Sequence, residues 1–292
     1  DLVLKSGRTH LQDAVPVRLG QEFGGYAEAV RKDRTRLAQA AEPLRTLGIG
    51  GTAAGTGLNS HPDYRCTIVK RLSELTGERM WPADNLFESM QSTADFLNVS
   101  AALRTLAVTL TRIANDLRLL SSGPTTGLGE IVLPAVQPGS SIMPGKVNPV
   151  MAEMLNMICY HVIGNDQTVM LCAQAGQLEL NVMKPILEYN LLQSLEVLTN
   201  GITVFTERCV RGISANVERC RRLAEGSMGL ATALNPYIGY AAATEVAKEA
   251  LARGVSLREV VLEKGYLTAE QLATILDPIA MTEPGIPGKK LE

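Results

Sequence analysis

The sequence predicts an all-α protein of the long-helix-bundle type, with a small helical domain at its C-terminal side. Apolar residues recur every three or four positions over long stretches, and the period of two that marks half-buried strands is nearly absent. After Gly212 the predicted elements become short. We therefore expect one domain at 1–214, built from long helices, and a second at 215–292.

The longest predicted helix runs from about Ala83 to Leu120. Its apolar residues alternate in steps of three and four: Phe96, Val99, Leu103, Leu106, Leu110, Ile113, Leu117 and Leu120. A helix of about 35 residues is about 50 Å long. Such a seam is buried only against several other long helices, which come from the same chain or from partner chains.

The remaining helices are predicted from the same periodicity, and several begin at a proline, which suits the first helical turn. They are Pro16–Ala41, Tyr64–Leu75, Pro149–Ala175, Pro185–Val210, Asn216–Glu225 and Pro236–Ala252. Two capping boxes, Ser256 with Glu259 and Thr268 with Gln271, predict two short helices near the end. The Pro- and Gly-rich stretch from Asp277 onward is predicted to be irregular.

Composition argues against several classes of function. The net charge of -2 and the aromatic content of 4% do not suit a nucleic-acid-binding surface. No apolar run reaches the roughly 20 residues of a membrane span, and no charged-then-apolar leader opens the sequence. We expect a cytoplasmic protein without nucleic-acid or membrane partners.

Cysteine and histidine spacing indicates neither a disulfide framework nor a metal centre. The five cysteines form no CxxC pair, and the three histidines lack metal-ligand spacing. Reduced thiols of a cytoplasmic protein fit this pattern. We therefore expect neither a metal nor a cofactor.

Three segments differ from ordinary bundle sequence, and the first is Ser6–Phe23. It concentrates polar residues ahead of a predicted helix: Arg8, Thr9, His10, Gln12 and Asp13. These side chains need partners if they are buried. The residues alone favour a solvated turn before the helix.

The second segment, Gly48–Asn59, has five glycines in twelve residues. A phosphate-binding loop would need a GK[ST] sequence and a preceding strand, and both are missing from it. Close packing of the backbone or a special turn is the favoured interpretation.

The third segment is GSSIMPGKVNP, from Gly139 to Pro149. Its glycines can serve as hinges. Lys146 and Asn148 provide a cation and an amide just before a helix N-terminus, which itself attracts anions. The residues leave two interpretations open, a capped turn between helices and a mobile loop that binds a carboxylate.

GSSIMPGKVNP resembles the signature of the aspartase/fumarase superfamily, and further blocks along essentially the whole chain support this resemblance. They are GRTHLQDAVP, GTAAGTGLN, ANDLRLLSSGP, GNDQTV, AGQLELNVMKP and NPYIGY. AGQLELNVMKP after VIGND is more similar to the aspartase branch, because fumarases tend to show GNFELNV there. The MPGKVNP form is shared by both branches.

The resemblance implies a homotetramer with a shared bundle of long helices, in which three subunits build each active site. It implies a lyase that forms fumarate by elimination next to a carboxylate, acting on L-aspartate as an aspartate ammonia-lyase. Malate, the substrate of class II fumarases, and a non-catalytic scaffold remain as alternatives. A substrate-binding segment like TSSNM precedes GRTH in the family, so we expect this chain to be inactive alone.

Site residues follow from the same resemblance. Ser140 matches the catalytic base, and Lys146 and Asn148 match the groups that hold the carboxylate as it becomes an aci-carboxylate. Ser141 beside them is expected to be structural or to bind substrate through its backbone. The loop would act as a closing lid over the dicarboxylate.

Two further residues match positions near the other carboxylate or the leaving group, namely Thr9 and His10. Glu153 matches a carboxylate that pairs with His10. A carboxylate partner keeps a histidine charged, which suits the binding of a dianion. A solvated helix carboxylate is the alternative for Glu153.

Overall fold

The computed structural model describes residues 2–289. Asp1 of the first predicted domain and residues 290–292 of the second lie outside the described residues. The chain is 61% helical. Among the described residues, strands occur in three two-stranded sheets. The predicted all-α class is confirmed.

The α-helices of residues 2–289 are α1 (Leu19–Ala41), α2 (Tyr64–Thr76), α3 (Leu86–Gln91), α4 (Ala94–Leu120), α5 (Val150–Gln174), α6 (Lys184–Arg208), α7 (Val217–Glu225), α8 (Asn235–Ile238), α9 (Tyr240–Arg253), α10 (Leu257–Glu263) and α11 (Ala269–Ile275). The strands are β1 (Leu4–Thr9), β2 (Gln12–Arg18), β3 (Thr46–Leu47), β4 (Trp81–Pro82), β5 (Ile131–Val132) and β6 (Ser214–Ala215).

The described residues form two compact units, which we name after their main features. The bundle unit comprises residues 28–118 and 134–212, and the hairpin unit comprises residues 2–27, 119–133 and 213–289. This division differs from the predicted domains 1–214 and 215–292. The break near 212 lies close to the predicted boundary, but two earlier segments join the C-terminal helices.

In the bundle unit, the predicted seam forms the buried face of α4. Its buried members are Val99, Leu103, Leu106, Leu110, Ile113 and Leu117. Phe96 is 42% exposed and lies outside the core. The predicted single helix from Ala83 is interrupted, because α3 ends before Ser92, whose backbone is extended.

Buried polar pairs show that α4 and α5 run antiparallel. Ser100 donates to Asp166 at 2.7 Å near the start of α4, whereas Asn156 donates to Asn115 at 2.6 Å near its end. Between α5 and α6, Asn165 donates to a serine hydroxyl at 3.1 Å. These contacts fix the register of the three long helices. The bounds of α5 and α6 agree within two residues with the predicted helices Pro149–Ala175 and Pro185–Val210.

The glycine-rich segment Gly48–Asn59 packs tightly on α3. A Cβ at Gly48 would lie 2.4 Å from the Ser89 hydroxyl, and one at Gly51 would lie 2.7 Å from the Met90 sulfur. Its residues with positive φ are Gly50, Thr52, Gly55, Gly57 and Asn59. Close backbone packing with special turns is therefore the use of these glycines, in agreement with the favoured interpretation.

In the hairpin unit, β1 and β2 form an antiparallel hairpin where the sequence indicated a turn and the start of a helix. The helix predicted from Pro16 begins at Leu19. The hairpin packs on the segment that follows α7, since Ser227 donates from its hydroxyl to the carbonyl of Ala14 at 3.2 Å. This contact explains why the first residues of the chain belong with the C-terminal helices.

Short helices complete the hairpin unit around a compact apolar core. Both predicted capping boxes are present, at Ser256 with Glu259 and at Thr268 with Gln271. The predicted helix Pro236–Ala252 is divided into α8 and α9 by a glycine at φ +81°. The fully buried core residues include Leu234, Val246, Val260, Val261 and Leu272.

Candidate functional site

The GSSIMPGKVNP loop lies in the bundle unit and is tied together at its ends. The Gly139 amide donates to the Lys146 carbonyl at 3.0 Å, and the Asn148 side-chain amide donates to the Gly139 carbonyl at 2.8 Å. A Cβ at Gly139 would lie 2.2 Å from the Lys146 carbonyl oxygen. Glycine is therefore required at the position where the two ends of the loop meet.

Ser140 is half-buried inside this loop, and its hydroxyl oxygen accepts two backbone hydrogen bonds. The donors are the amides of Ile142 and Met143, each at 3.2 Å. Donors that point at an oxygen favour its negatively charged form. The arrangement suits a hydroxyl that has to give up its proton, whereas the neighbouring Ser141 is exposed.

The surroundings of the loop favour an anion. Lys146 is exposed, and among the described residues no carboxylate pairs with it. An open cavity of about 440 Å³ is lined by Ser140, Gly145 and Lys146, among others. Asn148 lies two residues before α5, whose N-terminal amides carry a partial positive charge. The loop thus brings four of the predicted residues together, namely Ser140, Ser141, Lys146 and Asn148.

Glu153 lies in the first turn of α5 and is 38% exposed. Its carboxylate is 3.9 Å from the Arg118 guanidinium at the end of α4. His10 belongs to the hairpin unit. The pairing of Glu153 with His10 therefore stays a prediction.

Thr9 and His10 lie at the tip of the hairpin and are exposed. His10 and Leu11 adopt left-handed backbone conformations, with φ of 55° and 60°. Hairpin turns of this kind usually carry Asn-Gly or Gly-Gly, and other residues cost roughly 1–2 kcal/mol each. Backbone strain of this kind is concentrated at functional sites, which supports a role for this tip.

Beneath the tip lies a buried group of charges that the sequence did not reveal. Arg8 donates two hydrogen bonds to Glu130, at 2.9 and 3.1 Å, and Glu130 is fully buried. Lys5, only 2% exposed, lies 3.6 Å from Glu130 and 3.3 Å from Glu22. Among the polar residues named in the Ser6–Phe23 segment, Arg8 is partly buried and paired. Thr9, His10, Gln12 and Asp13 are exposed, as the favoured solvated turn predicts.

Two buried cysteines, Cys220 of the hairpin unit and Cys209 of the bundle unit, are unsuited to nucleophilic chemistry. Burial raises the pKa of Cys220 to about 11, and the negative charge of Glu130 adds to the effect. Burial also raises the pKa of Cys209 to about 11. Thiols with such pKa values carry almost no thiolate at neutral pH. Cys209 and Cys220 are therefore excluded as candidate nucleophiles.

Among residues 2–289, no group of three or more His, Cys, Asp or Glu side chains is arranged to hold a metal ion. In the same part of the chain, no helix is long and apolar enough to cross a membrane.

Comparison with protein families places both parts of the chain in one group of enzymes. A family model described as "Lyase" matches residues 1–164, which is more than half of the chain. A second model, described as "Fumarase C C-terminus", matches residues 230–283.

Similar proteins carry the names of two enzymes. The aspartate ammonia-lyase of Bacillus subtilis is 51% identical over 291 residues, which are 100% of this chain and 61% of that protein. The class II fumarate hydratase of Oceanobacillus iheyensis is 46% identical over 97% of this chain and 61% of that protein. The chain thus spans about three-fifths of the length of the curated relatives it matches.

Solved structures of the same group share the fold. The fumarate lyase:delta crystallin from Brucella melitensis bound to cobalt matches with a TM-score of 0.92 and 53% identity, over 97% of this chain and 61% of that one. The class II fumarase from Schistosoma mansoni matches with a TM-score of 0.92 and 38% identity, over 97% and 62% of the two chains. The chain therefore belongs to the aspartase/fumarase superfamily of lyases.

Proposed function

We propose that this protein is an aspartate ammonia-lyase, which removes ammonia from L-aspartate to form fumarate. One structural observation carries the proposal: the hydroxyl of Ser140 accepts two amide hydrogen bonds in a loop that also holds the exposed cation of Lys146. The several aspartate ammonia-lyases that are about 50% identical to the chain support the choice of substrate.

The reaction begins with the removal of a proton from the carbon next to a carboxylate. Ser140, as the alkoxide, takes this proton, and the two electrons of the C–H bond move into the neighbouring carboxylate, which becomes an aci-carboxylate. Lys146 and Asn148 hold the additional negative charge. Donors fixed in place before the reaction stabilise such a charge most effectively where water is excluded, as it is when a loop closes over the substrate.

The second step breaks the C–N bond. The electron pair of the aci-carboxylate returns to form the C=C bond of fumarate, and the protonated amino group of aspartate (–NH3+) leaves with the C–N electron pair as neutral ammonia. In this proposal Thr9 and His10, at the strained tip of the hairpin, bind the second carboxylate or the leaving group. Glu153 is the proposed partner of His10.

The protein is proposed to act as a homotetramer with active sites shared between subunits. On α5 and α6, large apolar side chains are exposed in rows of helical spacing: Met157, Tyr160, Leu171, Tyr189 and Leu192. Contiguous exposed apolar patches of this kind mark interaction surfaces. Partner helices of the same kind would cover them and complete the bundle. The free thiols agree with a place in the cytoplasm.

A class II fumarase is the second candidate, because a fumarate hydratase is 46% identical over nearly the whole chain.

The experiment that tests the proposed function is to supply the intact protein with L-aspartate and to measure fumarate by its ultraviolet absorbance and ammonia by a coupled assay. Equal amounts of both products support the proposal. A protein that releases neither product but binds fumarate in calorimetry is not an ammonia-lyase, and one that does not bind fumarate at millimolar concentration is a scaffold.

A further inference from the structure

Four charged side chains lie together under the tip of the hairpin, and three of them are largely withdrawn from water. Glu130 is 0% exposed, Lys5 is 2% exposed and Arg8 is 15% exposed. Glu22, at 27%, completes the group as the second partner of Lys5. The two cations and two carboxylates balance, and Glu130 is the member that contacts both cations.

A buried ion pair is a costly way to stabilise a small hairpin. Desolvation of the charges often cancels their attraction, so apolar side chains of similar size are as good or better for stability alone. Such pairs hold their partners in one geometry, however, and a bidentate guanidinium–carboxylate pair restricts orientation as well as distance. The two hydrogen bonds from Arg8 to Glu130 are of this kind.

The backbone of Glu130 is itself fixed on both sides. Its amide donates to the carbonyl of Leu120 at the end of α4 at 2.9 Å, and its carbonyl accepts from the amide of Asn216 at 2.9 Å. The carbonyl also accepts a hydrogen bond from the thiol of Cys220 at 3.3 Å. The carboxylate is therefore held on a rigid support, and Arg8 is attached to that support.

Arg8 is separated from the strained tip by a single residue. Thr9 follows it, and His10 and Leu11 then take the two left-handed positions of the turn. On the opposite strand, the pairing shifts by one residue between Ser6 and Arg8, which marks a bulge. A bulge re-aims the side chains beyond it, so the direction of the tip depends on how Arg8 is held.

We propose that Glu130 is a positioning residue for substrate binding: through Arg8 and Lys5 it fixes the turn that presents Thr9 and His10 to the dicarboxylate. The inference rests on the proposed function in so far as Thr9 and His10 bind substrate. Glu130 touches neither the substrate nor the reacting atoms and acts only through the hairpin.

The test is a double-mutant cycle in the intact protein with Glu130→Gln and His10→Ala. In the presence of His10, Glu130→Gln is expected to lower kcat/KM by about 10- to 100-fold, the usual effect of losing a supporting residue. The loss should appear mainly as a higher KM. Without His10, the same substitution should lower kcat/KM by clearly less, because only the positioning of Thr9 is then left to lose and coupled residues are not additive.

Asp166→Asn is the matched control, since Asp166 is also a buried carboxylate with an arginine partner, but in the bundle unit. Asp166→Asn should change kcat/KM by the same factor in the presence and in the absence of His10→Ala. If Glu130→Gln also has the same effect in both backgrounds, Glu130 serves only stability and the proposal is overturned.

A readout without turnover separates this proposal from the proposed function. Hydrogen exchange of the amides of residues 9–12 should become faster in Glu130→Gln, while exchange in α4 and α5 stays unchanged. If Glu130→Gln fails to fold, Arg8→Lys keeps the charge and removes the bidentate contact, and the same change in exchange is expected. Unchanged exchange at the tip contradicts the proposal, even if the protein turns over aspartate normally.

Discussion

The amide of Gly139 donates a hydrogen bond of 3.0 Å to the carbonyl of Lys146, which joins the two ends of the loop that carries Ser140. A side chain at Gly139 would enter this contact, whereas a Cβ at Gly145 meets no atom within 4 Å. The two glycines thus carry different constraints, steric at Gly139 and conformational at Gly145, where φ is +78°.

Gly139→Ala is therefore expected to reduce activity far more than Gly145→Ala. The first variant separates the ends of the loop, and the second strains one residue by roughly 1 kcal/mol. Steady-state kinetics of both variants of the intact protein check this difference. A larger loss of activity in Gly145→Ala would mean that the contact between Gly139 and Lys146 does not matter for catalysis.

Ser140→Ala is expected to lower kcat by about 10²- to 10⁴-fold, the usual contribution of a general base. The proposed tetramer and the affinity for fumarate should be retained, because the substitution removes only a hydroxyl. Fumarate absorbance gives the rate, and light scattering gives the mass. Ser141→Ala is the matched control. A larger loss of kcat in Ser141→Ala than in Ser140→Ala would contradict the assignment of Ser140 as the base.

Lys146→Met should lower kcat/KM by about 10²- to 10³-fold, since it removes a preorganised partner of the developing charge. Lys70, an exposed lysine on α2, provides a control of the same chemistry. Lys70→Met is expected to behave like the unaltered protein. Equal effects of the two substitutions would show a general response to surface charge in place of a binding site.

His10 and Glu153 are expected to act as a pair. Each of His10→Asn and Glu153→Gln should reduce kcat/KM, and the double variant should be little worse than the poorer single variant, because both break one interaction. Independent losses that multiply would indicate that Glu153 serves Arg118, which lies 3.9 Å from it, and does not serve His10.

Buried thiols predict a loss of stability at alkaline pH. Burial raises the pKa of the Cys209 thiol from its ordinary value of 9.0 to about 11. In the unfolded chain this thiol ionises near its ordinary pKa, so its contribution to the free energy of unfolding is fully present below pH 9 and is lost between about pH 9 and 11. Urea unfolding at several pH values measures the slope of the free energy of unfolding against pH in this range.

Cys209→Ala should make that slope shallower, whereas Cys66→Ala, which removes an exposed thiol, should leave it unchanged. The comparison uses slopes, because removing a buried side chain also lowers stability at every pH. An unchanged slope in Cys209→Ala would contradict the raised pKa.

Local periodicity made the long helices predictable. The seam from Val99 to Leu117 repeats within one helix, so no distant contact is needed to recognise it. Phe96 continues the same spacing but is exposed. This difference was not predictable, because spacing alone does not show where a neighbouring surface ends. The capping box of Ser256 with Glu259 was equally predictable, since both partners lie within four residues.

The hairpin was not predictable in this way, because its inward side chains include Lys5 and Arg8 and so show no apolar alternation. Their partner Glu130 lies 122 residues after Arg8. Burial of such charges depends on that distant partner and leaves no local signal. Resemblance to a family supplied the roles of Ser140 and His10, but it pointed to no residue that holds the hairpin in place.

The central claim is that the site acts on L-aspartate, and the most direct test is the ratio of kcat/KM for L-aspartate to that for L-malate in one preparation of the intact protein. Both substrates give fumarate, so one absorbance assay measures both rates. We predict efficient formation of fumarate from aspartate and little or none from malate. Turnover of malate without turnover of aspartate would contradict the claim and identify a fumarase.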